Sequence, residues 1–289
     1  MKIPTPRFLS LLSLLAMNSL NAAPRETIPL DPATRQKCLQ VLREGLHGED
    51  FWPSMHAAEA LTLAGHVDEV RTFLEPKLGD EKDDQHRCGL ARELARAGDR
   101  SQIGLLLGIL SGTDPYGHTH AAESLYKVLE TGDGTALRKA MAQRQNPKLQ
   151  LMAAGALGRK GDADAMALIR KQLVESTDPE EYKICAWLLG IIGNQSDIAS
   201  LRSRLQDAPD ELTKAYLEHA LATLGDAAGL AALQKNLQSA DPAVRTYAAN
   251  FAADGHLSAV ADQLRPLLAD ENLDTRIRSA QALLVISQP

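Results

Sequence analysis

The stretch Leu149-Gln-Leu-Met-Ala-Ala-Gly-Ala-Leu-Gly-Arg-Lys-Gly-Asp162 decides the fold. Its apolar and small residues recur at spacings of three and four, the period of one helical face. Gly161 can end that helix in the left-handed conformation, and Asp162 can cap the next one. The same punctuation recurs at Gly65-His66, Gly98-Asp99, Gly132-Asp133, Gly193-Asn194, Gly225-Asp226 and Gly255-His256, with successive glycines 29 to 34 residues apart. Seven positions before a glycine stand Ala58, Ala91, Ala154, Ala186 and Ala248; four before stand Leu61, Leu94, Leu157, Leu189, Leu221 and Phe251. Small residues in one column and large apolar ones in the next predict helices that approach closely along one seam.

A second periodic stretch follows the glycine, as at Ala163 to Val174, Ile198 to Leu205 and Leu230 to Leu237. The unit is therefore helix, glycine turn, helix. Asp114-Pro115, Asp178-Pro179 and Asp241-Pro242 restart it, because Asp caps a helix and Pro is tolerated in its first turn. Sustained period-two runs are absent. A repeat of this length made of two helices predicts an all-α fold, an α-solenoid in which stacked helix pairs form a superhelix. It is expected over residues 51–289, as about seven helix pairs and an unpaired closing helix from Thr275 to Ile286. Ahead of it, 23–50 reads as a linker and an N-terminal capping helix over 31–46, with Asp31 as its cap and Pro32 next.

Segments such as Leu149 to Asp162 and Val244-Arg-Thr-Tyr-Ala-Ala249 resemble the HEAT-like repeats of phycocyanobilin lyase subunits, within the armadillo-like superfamily. The resemblance runs over roughly residues 51 to 286. It implies that the helices with the Ala-Ala and Leu pattern form the inner, concave layer. It is specific for architecture, since such repeats serve many roles.

The chain opens Met1-Lys2-Ile3-Pro4-Thr5-Pro6-Arg7, continues through an apolar run from Phe8 to Leu20 and reaches Asn21-Ala22-Ala23. A basic start, a short apolar centre and small residues predict a secretory signal over 1–22 and a periplasmic or secreted mature protein. Lys and Arg number 31 against 37 Asp and Glu, a net charge of −6. That acidic balance argues against a nucleic-acid partner, which needs clustered basic residues. No later segment is apolar enough to predict membrane insertion. Cys38, Cys88 and Cys185 are too few and too scattered for a disulfide framework.

One duplication stands out within the repeat. Trp52-Pro-Ser-Met-His56-Ala-Ala-Glu59-Ala-Leu61 aligns without a gap to Tyr116-Gly-His-Thr-His120-Ala-Ala-Glu123-Ser-Leu125. His and Glu three apart share a helical face, a metal-ligand spacing in helical carboxylate sites. In HEAT-like deoxyhypusine hydroxylases the iron-binding His and Glu are adjacent, a pattern this chain departs from. In a stack with helices about 8 to 10 Å apart, equivalent sites two repeats away are expected roughly 20 Å apart and cannot share one ion. Neither a metal nor a cofactor is therefore called for. The His56 and His120 column holds Met152, Ile184 and Tyr216 in other repeats and reads as a packing position or as part of a shared surface. The Glu59 and Glu123 column holds Arg92, Gly155, Trp187, His219 and Gln281, the variety expected of a face toward solvent or ligand.

Catalytic signatures such as Gly-x-Ser-x-Gly, a phosphate-binding loop, His-Glu-x-x-His and Cys-x-x-Cys are missing. The expected function is a non-catalytic scaffold that binds a protein or peptide on the concave face. The residues expected to carry it are Trp52, His56, Glu59, Arg92, His120, Glu123, Trp187 and His219. The alternative is a prosthetic-group lyase-like or metal-dependent modifying factor.

Overall fold

The computed structural model describes residues 27–288. The signal expected over 1–22 lies outside them. Every regular element among the described residues is helical. The chain runs α1 (Pro32–Leu46), α2 (Phe51–Leu63), α3 (Val67–Asp80), α4 (Asp84–Arg96), α5 (Gln102–Ser111) and α6 (His118–Lys127). It continues with α7 (Thr135–Met141), α8 (Pro147–Gly158), α9 (Ala163–Glu175), α10 (Pro179–Ile192) and α11 (Ile198–Leu205). It ends with α12 (Glu211–Thr223), α13 (Ala227–Asn236), α14 (Pro242–Asp254), α15 (Ala261–Leu264) and α16 (Leu273–Ile286). None is long and apolar enough to cross a membrane.

The turn chemistry acts as the sequence predicts, with three departures, the first after α6, where Leu129 at φ 60° takes the left-handed position three residues ahead of Gly132. Gly65, Gly98, Gly161 and Gly225 all have φ near +90°, which favours glycine because it carries no Cβ. At Gly255 the left-handed position has moved one residue on, to His256 at φ 49°. Gly193 is extended instead; a Cβ there would come within 2.4 Å of the Leu189 carbonyl oxygen, so close backbone approach demands the glycine. Asp162, Asp178, Asp226 and Asp241 each accept a backbone N–H of the helix they open. The Asp31 carboxylate caps α1 in the same way, taking the Thr34 N–H at 2.9 Å.

Even-numbered helices form an inner layer and odd-numbered ones an outer layer. The alanine column Ala58, Ala91, Ala154, Ala186 and Ala248 is fully buried, as are Leu61, Leu189 and Phe251 one turn on. Each such leucine contributes about 1.5–3 kcal/mol relative to leaving it in water. Outer helices also come close: a Cβ on Gly229 of α13 would lie 2.6 Å from the Ala222 backbone nitrogen of α12.

Inner helices pack in order from α2 to α16, and α16 then packs on α2 and α1. The solenoid thus closes on itself. Thr275 to Ile286, expected to end the array unpaired, belongs to α16 and has α14, α1 and α2 as neighbours. Polar links cross the same seam: His56 pairs with Asp274 at 2.7 Å, Arg265 with Asp31 at 3.4 Å, and Gln288 Nε2 donates to the Leu63 carbonyl at 3.2 Å. A small per-repeat rotation, summed over enough pairs, brings first and last together.

Candidate functional site

Ring closure turns the concave face into a central chamber of about 610 Å³, lined by residues from all eight inner helices. Its two halves differ. The helices α14, α16, α2, α4 and α6 supply most of the charge, whereas α8, α10 and α12 supply Met152, Ile184, Trp187, Ile191, Leu212 and Tyr216.

Glu59 is the centre of the charged half. It accepts a hydrogen bond from Arg278 Nη1 at 3.0 Å and forms an ion pair with Arg96 at 2.8 Å. Arg96 also donates to Glu93 at 2.9 Å, Glu93 accepts from Arg92, and Arg278 donates to Gln281 at 2.7 Å. Alternating charges of this kind satisfy one another in a buried setting, where an unpaired member would be costly. Burial works against the Glu59 carboxylate, but Arg96 and Arg278 hold it well below the usual range. Glu123 behaves alike: burial opposes its charge, yet Lys127, paired at 3.0 Å, and Arg92 bring it to about 2. His56 is driven down to about 4 by burial and then by Arg278, against its bond to Asp274.

Asp254, the last residue of α14, is the exception. Its residue is exposed, on the lining of the chamber. Loss of bulk water, followed by the charge of Glu59, raises its carboxyl to about 6.

Where the two halves meet, Tyr126 of α6 and Trp187 of α10 contact edge to face with ring centroids 5.0 Å apart. Lys127 Nζ lies 5.6 Å from the Trp187 ring, and the Arg159 guanidinium lies 4.8 Å from the Tyr126 ring. Among the described residues no group of three or more His, Cys, Asp or Glu side chains is arranged to hold a metal ion. The three cysteines are buried, and burial pushes the thiols of Cys38 and Cys88 up to about 12.

His56, Glu59, Glu123 and Trp187 all line the chamber. Trp52 and His120 stack on each other at 5.1 Å and 13°, outside that lining. That contact joins α2 to α6 across α4. Gly89 of α4 helps: a Cβ there would meet Phe51 at 3.0 Å and Trp52 at 3.3 Å, so the missing side chain lets Trp52 pass over α4 to His120. Arg92 is 2% exposed and sits behind the wall, against Glu93. His219 lies away from the concave face: it is fully buried, with Nε2 3.2 Å from Asn236 of α13 and its ring beside Phe251.

Sequence reading missed a column one turn further on. Four residues after Glu59, Arg92, Glu123, Gly155 and Trp187 come Leu63, Arg96, Lys127, Arg159 and Ile191, all of which line the chamber. Three consecutive cations in register were a visible signal. Asp254, Arg278 and Tyr247 had no such signal, since only ring closure carries α14 and α16 to the same chamber.

This geometry, helix pairs whose small-residue seams face one another, accords with one match to a sequence family. Residues 134–222 match the HEAT repeats family. That segment is a HEAT-repeat array. It spans α7 to α12, so HEAT repeats supply the apolar half of the chamber, including Trp187. Among solved structures, human deoxyhypusine hydroxylase in complex with glycerol is similar at 15% identity and a TM-score of 0.39, over 88% of this chain and 97% of that one. Two engineered proteins are similar at 19% and 18% identity, with TM-scores of 0.31 and 0.27. They cover 88% and 86% of this chain, and 84% and 96% of their own. No curated protein matches the chain in sequence.

Proposed function

We propose that the ring is a non-catalytic binding scaffold that takes a short peptide segment into its central chamber after export. The observation that carries this reading is the chamber itself. Its volume of about 610 Å³ lies within the range of ligand sites. Few large apolar side chains are exposed among the described residues, yet Leu63 at 41% and Tyr247 at 38% are, and both face the chamber. A wall with charges of both signs on one side and aromatic and aliphatic groups on the other suits a peptide, which presents both kinds of surface.

Titration of the chain with an equimolar mixture of random tetrapeptides, followed by fluorescence and by hydrogen exchange, tests this. Saturable protection of α8, α10 and α14, with a signal change that disappears in Trp187→Phe, is expected. Absence of protection at millimolar peptide would overturn the reading.

The raised carboxyl of Asp254 favours a second reading, a modifying factor that exchanges a proton with its bound group near neutral pH. Mass spectrometry of the peptide mixture after prolonged incubation separates the two: unchanged masses rule out modification.

A further inference from the structure

Of the fixed charges on the chamber wall, Arg96 and Arg278 share Glu59, Lys127 pairs with Glu123, and Lys183 pairs with Glu180. Asp274 accepts a hydrogen bond from His56, whose imidazole burial keeps neutral near pH 7. Two charges on this wall, Arg159, just past the end of α8, and Asp254, at the end of α14, form no ion pair among the described residues. Both helices run the same way through the inner layer, so their C-terminal ends, and these two groups, belong to the same mouth.

Arg159 is anchored without being consumed. Nη1 donates to the Tyr126 carbonyl at 3.2 Å and the guanidinium lies over the Tyr126 ring, leaving Nε and Nη2 with no protein acceptor. That edge matches a carboxylate, which takes two parallel N–H bonds from arginine. Asp254 accepts from Asn250 Nδ2 at 2.9 Å through Oδ2, and Oδ1 remains unbonded. A primary ammonium would fill it and would also relieve the repulsion from Glu59. The two groups stand beyond pairing distance of each other, with apolar wall at Trp187 and Ile191 on the same cavity surface. A ligand carrying only one sign of charge would leave the other group unmet.

We propose that the chamber selects an unblocked zwitterionic peptide, its terminal carboxylate on Arg159, its ammonium on Asp254 and an apolar side chain against Trp187 and Ile191. This rests on the reading of the chamber as a peptide site and assigns the class of peptide. The contact at Asp254 weakens as the carboxyl gains its proton, at pH values falling through about 6. The charged groups that act on it are Glu59 on α2, Arg278 on α16, Lys127 on α6 and Arg159 beyond α8, with Arg96 on α4, and the titratable His256 lies two residues on along the same lining.

The test is calorimetric titration of the full chain with alanyl-phenylalanyl-alanine in four forms: free, N-acetylated, C-amidated and doubly blocked. The free form is expected to bind best, with each block costing about tenfold in affinity, the equivalent of one charged contact. Arg159→Gln should abolish discrimination against the amide and keep that against the acetyl form; Asp254→Asn should do the reverse. Circular dichroism of both variants verifies the fold, and at pH 5 the wild-type chain should lose discrimination against acetylation alone. Equal binding of free and doubly blocked peptide would overturn the zwitterion assignment while leaving the peptide chamber standing. Failure of all four forms would overturn the assignment too, and the random tetrapeptide titration then decides separately whether the chamber binds peptides. Crossed effects, with Arg159→Gln erasing the acetyl preference, would also overturn it.

Discussion

Glu59 and Arg278 are 219 positions apart in the chain and 3.0 Å apart in space. The bond joins the second helix to the last, across the seam where the ring closes. It places a buried carboxylate between two guanidinium groups, since Arg96 approaches from the other side at 2.8 Å. Closure is thus tied to the electrostatics of the chamber, and loss of one group should be felt at both.

Glu59→Gln is expected to cost about 3 kcal/mol in denaturant unfolding, because Arg96 and Arg278 would keep their burial and lose their counter-charge. The dependence on pH has a definite sign. A carboxyl held below its ordinary value contributes stability that is complete above about 4.5 and is lost as pH falls toward its lowered value. The wild type should therefore converge on the variant in strong acid.

Asp254→Asn should raise the melting temperature at pH 7. The carboxyl is lifted from 3.8 to about 6, so its ionised form weakens the folded state at neutral pH. That deficit is full above pH 6 and fades as pH falls from 6 toward 3.8. Melting curves at pH 7.5 and 4 test it, and an equal gain at both would contradict the electrostatic cause.

His219 is fully buried and its Nδ1 has no partner; burial takes it from 6.5 to about 3. Below pH 6.5 the unfolded chain takes up a proton that the folded ring refuses. Stability should fall by up to about 1.4 kcal/mol per pH unit from this group as pH drops from 6.5 toward 3. His219→Leu should flatten that part of the profile in denaturant midpoints between pH 7 and 4.5.

Gly229→Ala should destabilise the ring by about 1–3 kcal/mol, the usual range for overpacking, despite the better helix propensity of alanine. The added Cβ would sit 2.6 Å from the Ala222 nitrogen and 2.8 Å from the Leu221 carbonyl carbon, both backbone atoms that cannot rotate away. A thermal melt showing a stabilised variant would mean that α13 shifts off α12 at little cost.

The sequence by itself determined the repeat: which residues are helical, where Asp162, Asp178 and Asp241 start helices, and which alanines and leucines pack at the seam. Those features arise from contacts within a turn or two of helix, and their period is visible in any window of about thirty residues. The chamber needed the tertiary structure. Glu59 and His219 occupy the same column of the repeat, yet Glu59 lines the cavity and His219 is sealed between α12 and α13. His219 meets Asn236 and Phe251, whereas Glu59 meets Arg96 and Arg278. Closure is likewise a sum of many small angles, and no segment shows that α16 will meet α1, where Gly45 leaves room for Ile277. Only when the ends met did Arg159 and Asp254, 95 positions apart in the sequence, become two sides of one mouth.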